Sequence, residues 1–263
     1  MKLLIADARN AEKFVQLFSQ LKGLSETITL HFEDERLYCQ GFDMSQVSMY
    51  EISLTKEWFE DYDCDEGDAH ELSISIEIIS KVLSMRQKNQ MICIEYHGDP
   101  DKLDVSFKNL VPTEKEFPKE FQLPLMQIDY QMLEIPDVEY EVDFGIKTKK
   151  LAVMISQLQN FDDNVAMKFS ETTIRFTTSS QTMGTMSVDL FSDKVEYVDD
   201  FSISEGKEIN ISFSTRYFVS FCQFDKLAVD VELHFSENYP MQMKYELEED
   251  SYVRFMLAPK IED

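Results

Sequence analysis

Four histidines, four cysteines and two carboxylate runs are the groups in this chain that could do chemistry. His31, His70, His97 and His234 are isolated from one another, so none is paired by spacing with a nucleophile or a second ligand. His31 and His234 sit in strand-like patterns beside Phe32 and Phe235 and read as surface or satisfied structural histidines. Cys39, Cys64, Cys93 and Cys222 fit no C-x-x-C or zinc spacing, so they read as reduced thiols. The acidic stretches "FEDYDCDEGD" and "ELEEDS" read as solvated turns, not as metal sites for nuclease chemistry. No P-loop, G-x-S-x-G or H-E-x-x-H motif occurs. The match Asn210-Ile211-Ser212 falls in a strand pattern and is discounted as a glycosylation site. The expectation is a protein with no catalytic residues, no metal and no cofactor.

A chain without a reaction centre must work through its surface, and the elements that build that surface come next. The 263 residues suffice for one large domain or two ordinary ones, and 43% are hydrophobic. Seven glycines and seven prolines are scattered, so no low-complexity linker is expected. Twenty-five basic residues face 50 acidic ones, a net charge of −25. Such a surface repels polyanions at long range, which argues against nucleic acid and acidic membranes. No signal peptide and no run near 18 apolar residues is seen. A cytosolic or nuclear protein is expected.

The chain repeats itself. Shifted by 137 positions, Phe14 to Gln40 lies on Leu151 to Thr177, with Ser19-Gln20-Leu21 identical to Ser156-Gln157-Leu158. Phe14, Leu17, Phe18 and Leu21 fall at i, i+3, i+4 and i+7, one stripe of a helix. Ile28, Leu30 and Phe32 then alternate as in a strand. At a shift of 135, Ile74 to Met85 matches Ile209 to Ser220, followed by Ile92/Leu227, Ile94/Val229 and Tyr96/Val231. Each half therefore holds two helices, each followed by strands such as "MICIEYHG", "KLDVSF", "TIRFTTSS" and "VDVELHF". Between the halves, a run with Pro118, Pro124 and Pro136 is expected to cross the surface as a connector and not as a core strand. Its apolar content suggests that it lies on something or receives something.

These residues resemble the eukaryotic-type sliding clamps, the proliferating cell nuclear antigen (PCNA) family. The likeness covers essentially the whole chain. It rests on "FDMSQVSM" (Phe42 to Met49), "SKVL" (Ser80 to Leu83), "LEIPDVEY" (Leu133 to Tyr140), "TRYF" (Thr215 to Phe218) and the terminal "FMLAPKIED". It implies an α+β DNA clamp fold with two similar domains, 1–117 and 137–263, joined by a connector over 118–136. Three subunits would close head to tail into a ring through edge strands near Phe107 to Val111 and Met183 to Asp189. The function implied is that of a DNA polymerase processivity factor in the nucleus, or at a viral replication site in a host cell. Implied partners are double-stranded DNA read without sequence preference, a DNA polymerase, a clamp loader of the replication factor C type, and PIP-box proteins such as flap endonuclease and DNA ligase. No membrane is involved.

The resemblance directs attention to the helices, which would line the ring. Segments 10–22, 76–88, 147–160 and 213–223 carry a net +7, leaving −32 on the rest. The channel residues are Lys13, Lys22, Lys81, Arg86, Lys88, Lys147, Lys149, Lys150 and Arg216. Local phosphate attraction of this kind is sequence-independent, and screening over about 8–10 Å shields it from the acidic exterior. Read without the family, lysines on helices are also simply good helix formers facing solvent.

The resemblance also implies a pocket for PIP-box peptides, with Phe42, Val47 and Met49 from the first domain and Leu125, Met126, Ile128, Leu133, Ile135 and Pro136 from the connector. Tyr239, Pro240, Met256, Leu257, Ala258 and Pro259 complete it. Only "KIED" is then left to move at the C-terminus. Several positions depart from the family pattern. Val153, Ser156, Gln223 and Ser19 stand where basic residues are usual, the segment "DCDEGD" (Asp63 to Asp68) is acidic, and Glu171 replaces the lysine used for ubiquitin attachment. Weak DNA attraction is expected, and a peptide-binding scaffold of the clamp fold that no longer encircles DNA is the alternative. Phe42 is expected to narrow the pocket, and Met49, Met126 and Met256 to make it adaptable.

Overall fold

Phe14, Leu17, Phe18 and Leu21 form the buried stripe of helix α1 (Ala8–Leu21), as their spacing predicts. Asp7 caps this helix, its carboxylate accepting the N–H groups of Arg9 and Asn10 at 2.8 and 3.0 Å. The computed structural model describes residues 1–64, 70–111, 116–191 and 198–260. The chain divides into two units. The first comprises Met1–Met44, Glu51–Leu133 and Leu247–Tyr252; the second comprises Ser45–Tyr50, Glu134–Glu246 and Val253–Asp263.

In chain order the first half runs through β1 (Lys2–Ile5), α1, β2 (Thr27–Phe32), β3 (Arg36–Phe42), β4 (Ser48–Thr55), β5 (Asp61–Asp63), β6 (His70–Ser75), α2 (Ile76–Leu83), β7 (Gln90–Glu95), β8 (Lys102–Asn109) and β9 (Lys119–Pro124). One sheet has the order β5-β1-β7-β8-β9. In another, β2 pairs antiparallel with β3 and with β6. Three expectations are corrected here. The second helix stops at Leu83: the N–H of the capping Ser84 still reaches the Ser80 carbonyl, but those of Met85 and Arg86 bond back only three residues to Val82 and Leu83. Arg86 and Lys88 therefore follow the helix. Asp61–Asp63, read as part of a solvated turn, is a strand paired to β1. Phe107 is not at a sheet edge, since β8 is paired on both sides. The edge is β9, part of the stretch read as connector. Pro124 ends this strand and Pro118 precedes it, positions where an edge tolerates a missing donor.

The second half contains β10 (Val142–Lys147), α3 (Thr148–Gln159), β11 (Asn164–Phe169), β12 (Thr173–Ser180), β13 (Gly184–Phe191), β14 (Asp200–Ile203), β15 (Ile209–Ser214), α4 (Thr215–Cys222), β16 (Asp230–Phe235), β17 (Met241–Glu246) and β18 (Tyr252–Leu257). Its strands form the orders β13-β12-β11-β15 and β14-β10-β16-β17. β13 is an edge, held to β12 by a two-pronged ion pair from Arg175 to Asp189 at 2.6 and 2.8 Å. One ring cluster in the core of this unit gathers around Phe255, whose ring stacks on Phe221 at 4.7 Å and meets Phe224 and Tyr245. Tyr245 is fully buried and satisfies its hydroxyl on the Phe221 carbonyl at 2.9 Å.

Strand register confirms the first repeat and corrects the second. Ile28 pairs with Ile74, and its counterpart Val165 pairs with Phe213. Ile74 thus corresponds to Phe213 and not to Ile209, a slip of four residues. Four residues are about one helical turn and an even number along a strand, so the slipped match keeps the apolar pattern on both elements. Exposure exposes the error: Val229, matched to buried Ile94, is 73% exposed, whereas Val231 and Leu233 are buried.

Candidate functional site

The basic residues singled out on the helical segments do not present alike. Lys22, Lys81, Lys88, Lys149 and Arg216 are exposed. Lys13 donates to both carboxylate oxygens of Glu248 at 2.7 and 2.6 Å. Lys147, at the N-cap of α3, bonds Asp230 at 2.5 Å and lies 3.4 Å from Asp199; the Asp230 hydrogen bond raises its pKa further. Lys150 is exposed on α3.

Arg86 is corrected to a structural residue, because its side chain is only 3% exposed. It donates to the carbonyls of Gln90 and Lys88 at 2.7 and 3.1 Å, tying off the turn after α2, with Glu12 3.6 Å away. Burial depresses its pKa, and Glu12 opposes that shift.

The residues expected to meet a peptide are distributed over both units, and each set stands by itself. In the first unit Phe42, Met126, Ile128 and Leu133 are 39–42% exposed, while Leu125 is half-buried. These four side chains are accessible at the surface, as are other large apolar side chains such as Met44, Phe117 and Val229. The stretch carrying most of them is anchored from below. Met126 N–H donates to the Ser73 carbonyl at 2.8 Å, Tyr130 donates its hydroxyl to the Gln40 carbonyl at 3.1 Å, and the Gln40 side chain bonds the Leu133 backbone. A cavity of about 150 Å³ lies beside it, lined by Thr29, Glu71, Ser73, Tyr96, Met126 and Tyr130. Thr29 and Ser73 share a buried hydroxyl bond of 2.8 Å at its wall.

In the second unit Val47 and Tyr239 are exposed, as are Pro136, Pro240 and Ala258; Met49, Ile135, Met256 and Pro259 are half-buried. Leu257 is fully buried and belongs to the core. Ala258 N–H donates to the Val47 carbonyl at 3.2 Å. The expectation that Lys260 is loose is corrected: its N–H bonds the Ser212 carbonyl at 2.8 Å and its amine bonds Asn164 at 2.5 Å. Ile261 to Asp263 lie outside the described residues, as do Asp65 to Asp68 of the acidic segment.

Sequence reasoning missed Gln40, Tyr130 and the depth of His31. Thr29 and His31 are as buried as their strand neighbours, so β2 is covered on both faces and its alternation carries no exposed side. The sequence held no signal for them, because "TITLHF" alternates as a strand with one exposed face would. His31 packs on Tyr130 with centroids 4.8 Å apart, and its Nδ1 is 3.4 Å from Glu71. Burial lowers its pKa against the opposing pull of Glu71.

His234 Nδ1 meets Asp143 at 2.6 Å beside the ring of Tyr140. The four cysteines are free, and burial raises the thiols of Cys39 and Cys222 far above their ordinary pKa. Glu171 accepts the Gly206 N–H at 3.3 Å. No cluster of three or more metal-ligating side chains occurs among the described residues. No helix among them is long and apolar enough to cross a membrane.

Comparison with known proteins accounts for both units. The family model described as "Proliferating cell nuclear antigen, N-terminal domain" matches residues 3–133, and that described as "Proliferating cell nuclear antigen, C-terminal domain" matches residues 134–260. The chain is 27% identical over 248 residues to Proliferating cell nuclear antigen 2 of Drosophila melanogaster, covering 94% of each. It is 26% identical over 263 residues to Proliferating cell nuclear antigen of Chaetomium thermophilum, covering 99% of each. To Proliferating cell nuclear antigen 1 of Plasmodium falciparum it is 28% identical over 274 aligned positions, 99% of this chain and 98% of the relative.

Proposed function

The chain belongs to the proliferating cell nuclear antigen family of sliding clamps and processivity factors, non-enzymatic scaffolds of DNA replication, and from that premise we propose that three copies close around duplex DNA. The observation that carries this reading is the charge distribution. Positive charge is concentrated on four segments at and just beyond the helices, Arg86 among them being structural and Lys88 following α2, in a chain whose other residues sum to −32, which suits phosphate contact from these segments and little elsewhere. Of these cations, Lys22, Lys81, Lys88, Lys149, Lys150 and Arg216 are exposed; Lys13 and Lys147 would first exchange their carboxylate partners. Edge strands β9 and β13 would pair head to tail between copies, a contact that must close to avoid filaments. A mostly apolar groove of about 490 Å³ beside β13 is lined by Ile146, Val153, Met154, Val188 and Leu190, and also by Gln157 and by Lys149 and Lys150, two of the cations assigned to DNA.

The ring would tether a DNA polymerase and other replication and repair enzymes, flap endonuclease and DNA ligase among them, through PIP-box peptides. Their apolar anchors would take Phe42, Leu125, Met126, Ile128 and Leu133 of the first unit. In the second they would take Val47, Met49, Ile135, Pro136, Tyr239, Pro240, Met256, Ala258 and Pro259. Loading would need a replication factor C type loader, in the nucleus or at a viral replication site. The test is loader-dependent retention on circular duplex DNA. Retention that is lost when the circle is linearised is the expected result; a particle of one-chain mass that binds PIP-box peptide yet is never retained would overturn ring closure. The second reading, a peptide scaffold that does not encircle DNA, is favoured by the carboxylate partners of Lys13 and Lys147.

A further inference from the structure

The stretch Met126–Leu133 forms no helix and no strand beyond one bridge to Ser73, so its own backbone does not fix its shape. What fixes it is a buried set of side chains beneath it. Gln40, 2% exposed on β3, directs both ends of its amide at one residue: Nε2 donates to the Leu133 carbonyl at 3.1 Å, and Oε1 accepts the Leu133 N–H at 3.2 Å. Its main-chain carbonyl accepts the Tyr130 hydroxyl at 3.1 Å. Gln40 Nε2 also approaches the Tyr38 hydroxyl at 3.3 Å, and Tyr38 in turn donates to Glu51 at 2.9 Å. The Tyr130 ring is backed by His31, itself 3% exposed. The Met126 N–H, the Tyr130 hydroxyl and the Leu133 backbone thus point inward to partners, while Gln127, Asp129 and Gln131 are exposed and Met126, Ile128, Met132 and Leu133 stay 39–42% exposed. Without these bonds the chain would turn its apolar side chains inward and compete for the same cover.

We propose that Gln40, with Tyr130 and His31 behind it, is a positioning residue that holds Met126–Leu133 open to receive a partner's peptide. This role rests on the peptide-binding reading given above. A segment already in its bound form adds no ordering cost at the moment of binding, and a segment that visits that form only part of the time weakens apparent affinity by that fraction. The contribution of Gln40 therefore lies in the rate of association more than in contacts with the peptide.

The experiment compares the wild-type protein with Gln40→Leu and Tyr130→Phe. A fluorescent PIP-box peptide is mixed by stopped flow, and amide exchange is followed at Leu133. Gln40→Leu, similar in size and without hydrogen-bonding groups, is expected to slow association about tenfold with a smaller change in dissociation. The Leu133 amide, losing its acceptor, is expected to exchange faster, while amides of the β2 and β6 pairing keep wild-type protection. Tyr130→Phe, which keeps the ring on His31 and removes one hydroxyl, should fall between. If Gln40→Leu does not fold, Tyr130→Phe carries the test. Wild-type association rates in the variants, or unchanged Leu133 exchange, would overturn the positioning role alone. A wild-type protein that binds no PIP-box peptide would overturn the peptide reading, and this role with it.

Discussion

Lys13 and Glu248, 235 positions apart in sequence, meet within the first unit, where the lysine amine donates to both carboxylate oxygens at 2.7 and 2.6 Å. A lysine held in this way is a poor phosphate ligand until its partner is displaced. Glu248→Gln is expected to bind linear duplex more tightly and to steepen the fall of log affinity with log salt by about 0.9, one additional phosphate contact. The pair is partly exposed, so its loss should cost about 1 kcal/mol of stability or less. An unchanged salt slope in a titration by fluorescence anisotropy would place Lys13 away from the DNA path.

His31 gives the protein an acid-sensitive site. Burial lowers its folded-state pKa below the ordinary 6.5, with Glu71 and Glu33 pulling the other way and Tyr38 and Tyr130 packed against the ring. The native state therefore takes up this proton less readily than the unfolded chain. The stability it contributes is present above about pH 6.5 and is lost as pH falls through the lowered value. Urea midpoints measured from pH 7.5 to 5 should decline more steeply in the wild type than in His31→Asn. Parallel declines would show that other groups govern the acid response.

Phe42 is 42% exposed at the end of β3, so its ring is available to a ligand and its removal leaves the core intact. Phe42→Met is expected to alter PIP-box affinity severalfold while the unfolding midpoint stays within about 0.5 kcal/mol of wild type. Calorimetric titration giving the same affinity for both proteins would take Phe42 out of the binding surface.

Phe255 sits at the centre of one ring cluster of the second unit, buried against Phe221, Phe224 and Tyr245. Phe255→Ala should lose about 3–5 kcal/mol through transfer and cavity terms together. A loss below about 1 kcal/mol in chemical denaturation would mean that the cluster closes around the gap.

The helices and most strands were legible because each presents one apolar face, and Phe14, Leu17, Phe18 and Leu21 declare that face in their spacing. What was not legible depended on long-range partners. Arg86 reads as a surface cation until its side chain is seen closing the turn after α2 on two carbonyls. Lys260 reads as a loose tail until Ser212 and Asn164 are found holding it. The edge at β9 was hidden by its flanking prolines, which mark a strand's limits as readily as its absence. Gln40 carries no pattern at all, since a lone buried amide is specified by the backbone it meets 93 positions later.

The unequal offsets between the two halves have a practical consequence. Leu37 and Ile174 keep the 137-residue spacing, whereas Ile74 and Phe213 are two residues further apart. The interval between β3 and β6 and that between β12 and β15 therefore differ in length by two residues, while the paired strands keep the same register. Two lengths of join serve the same strand pairing. An epitope or fluorophore tag grafted into one of their surface loops would draw on that tolerance.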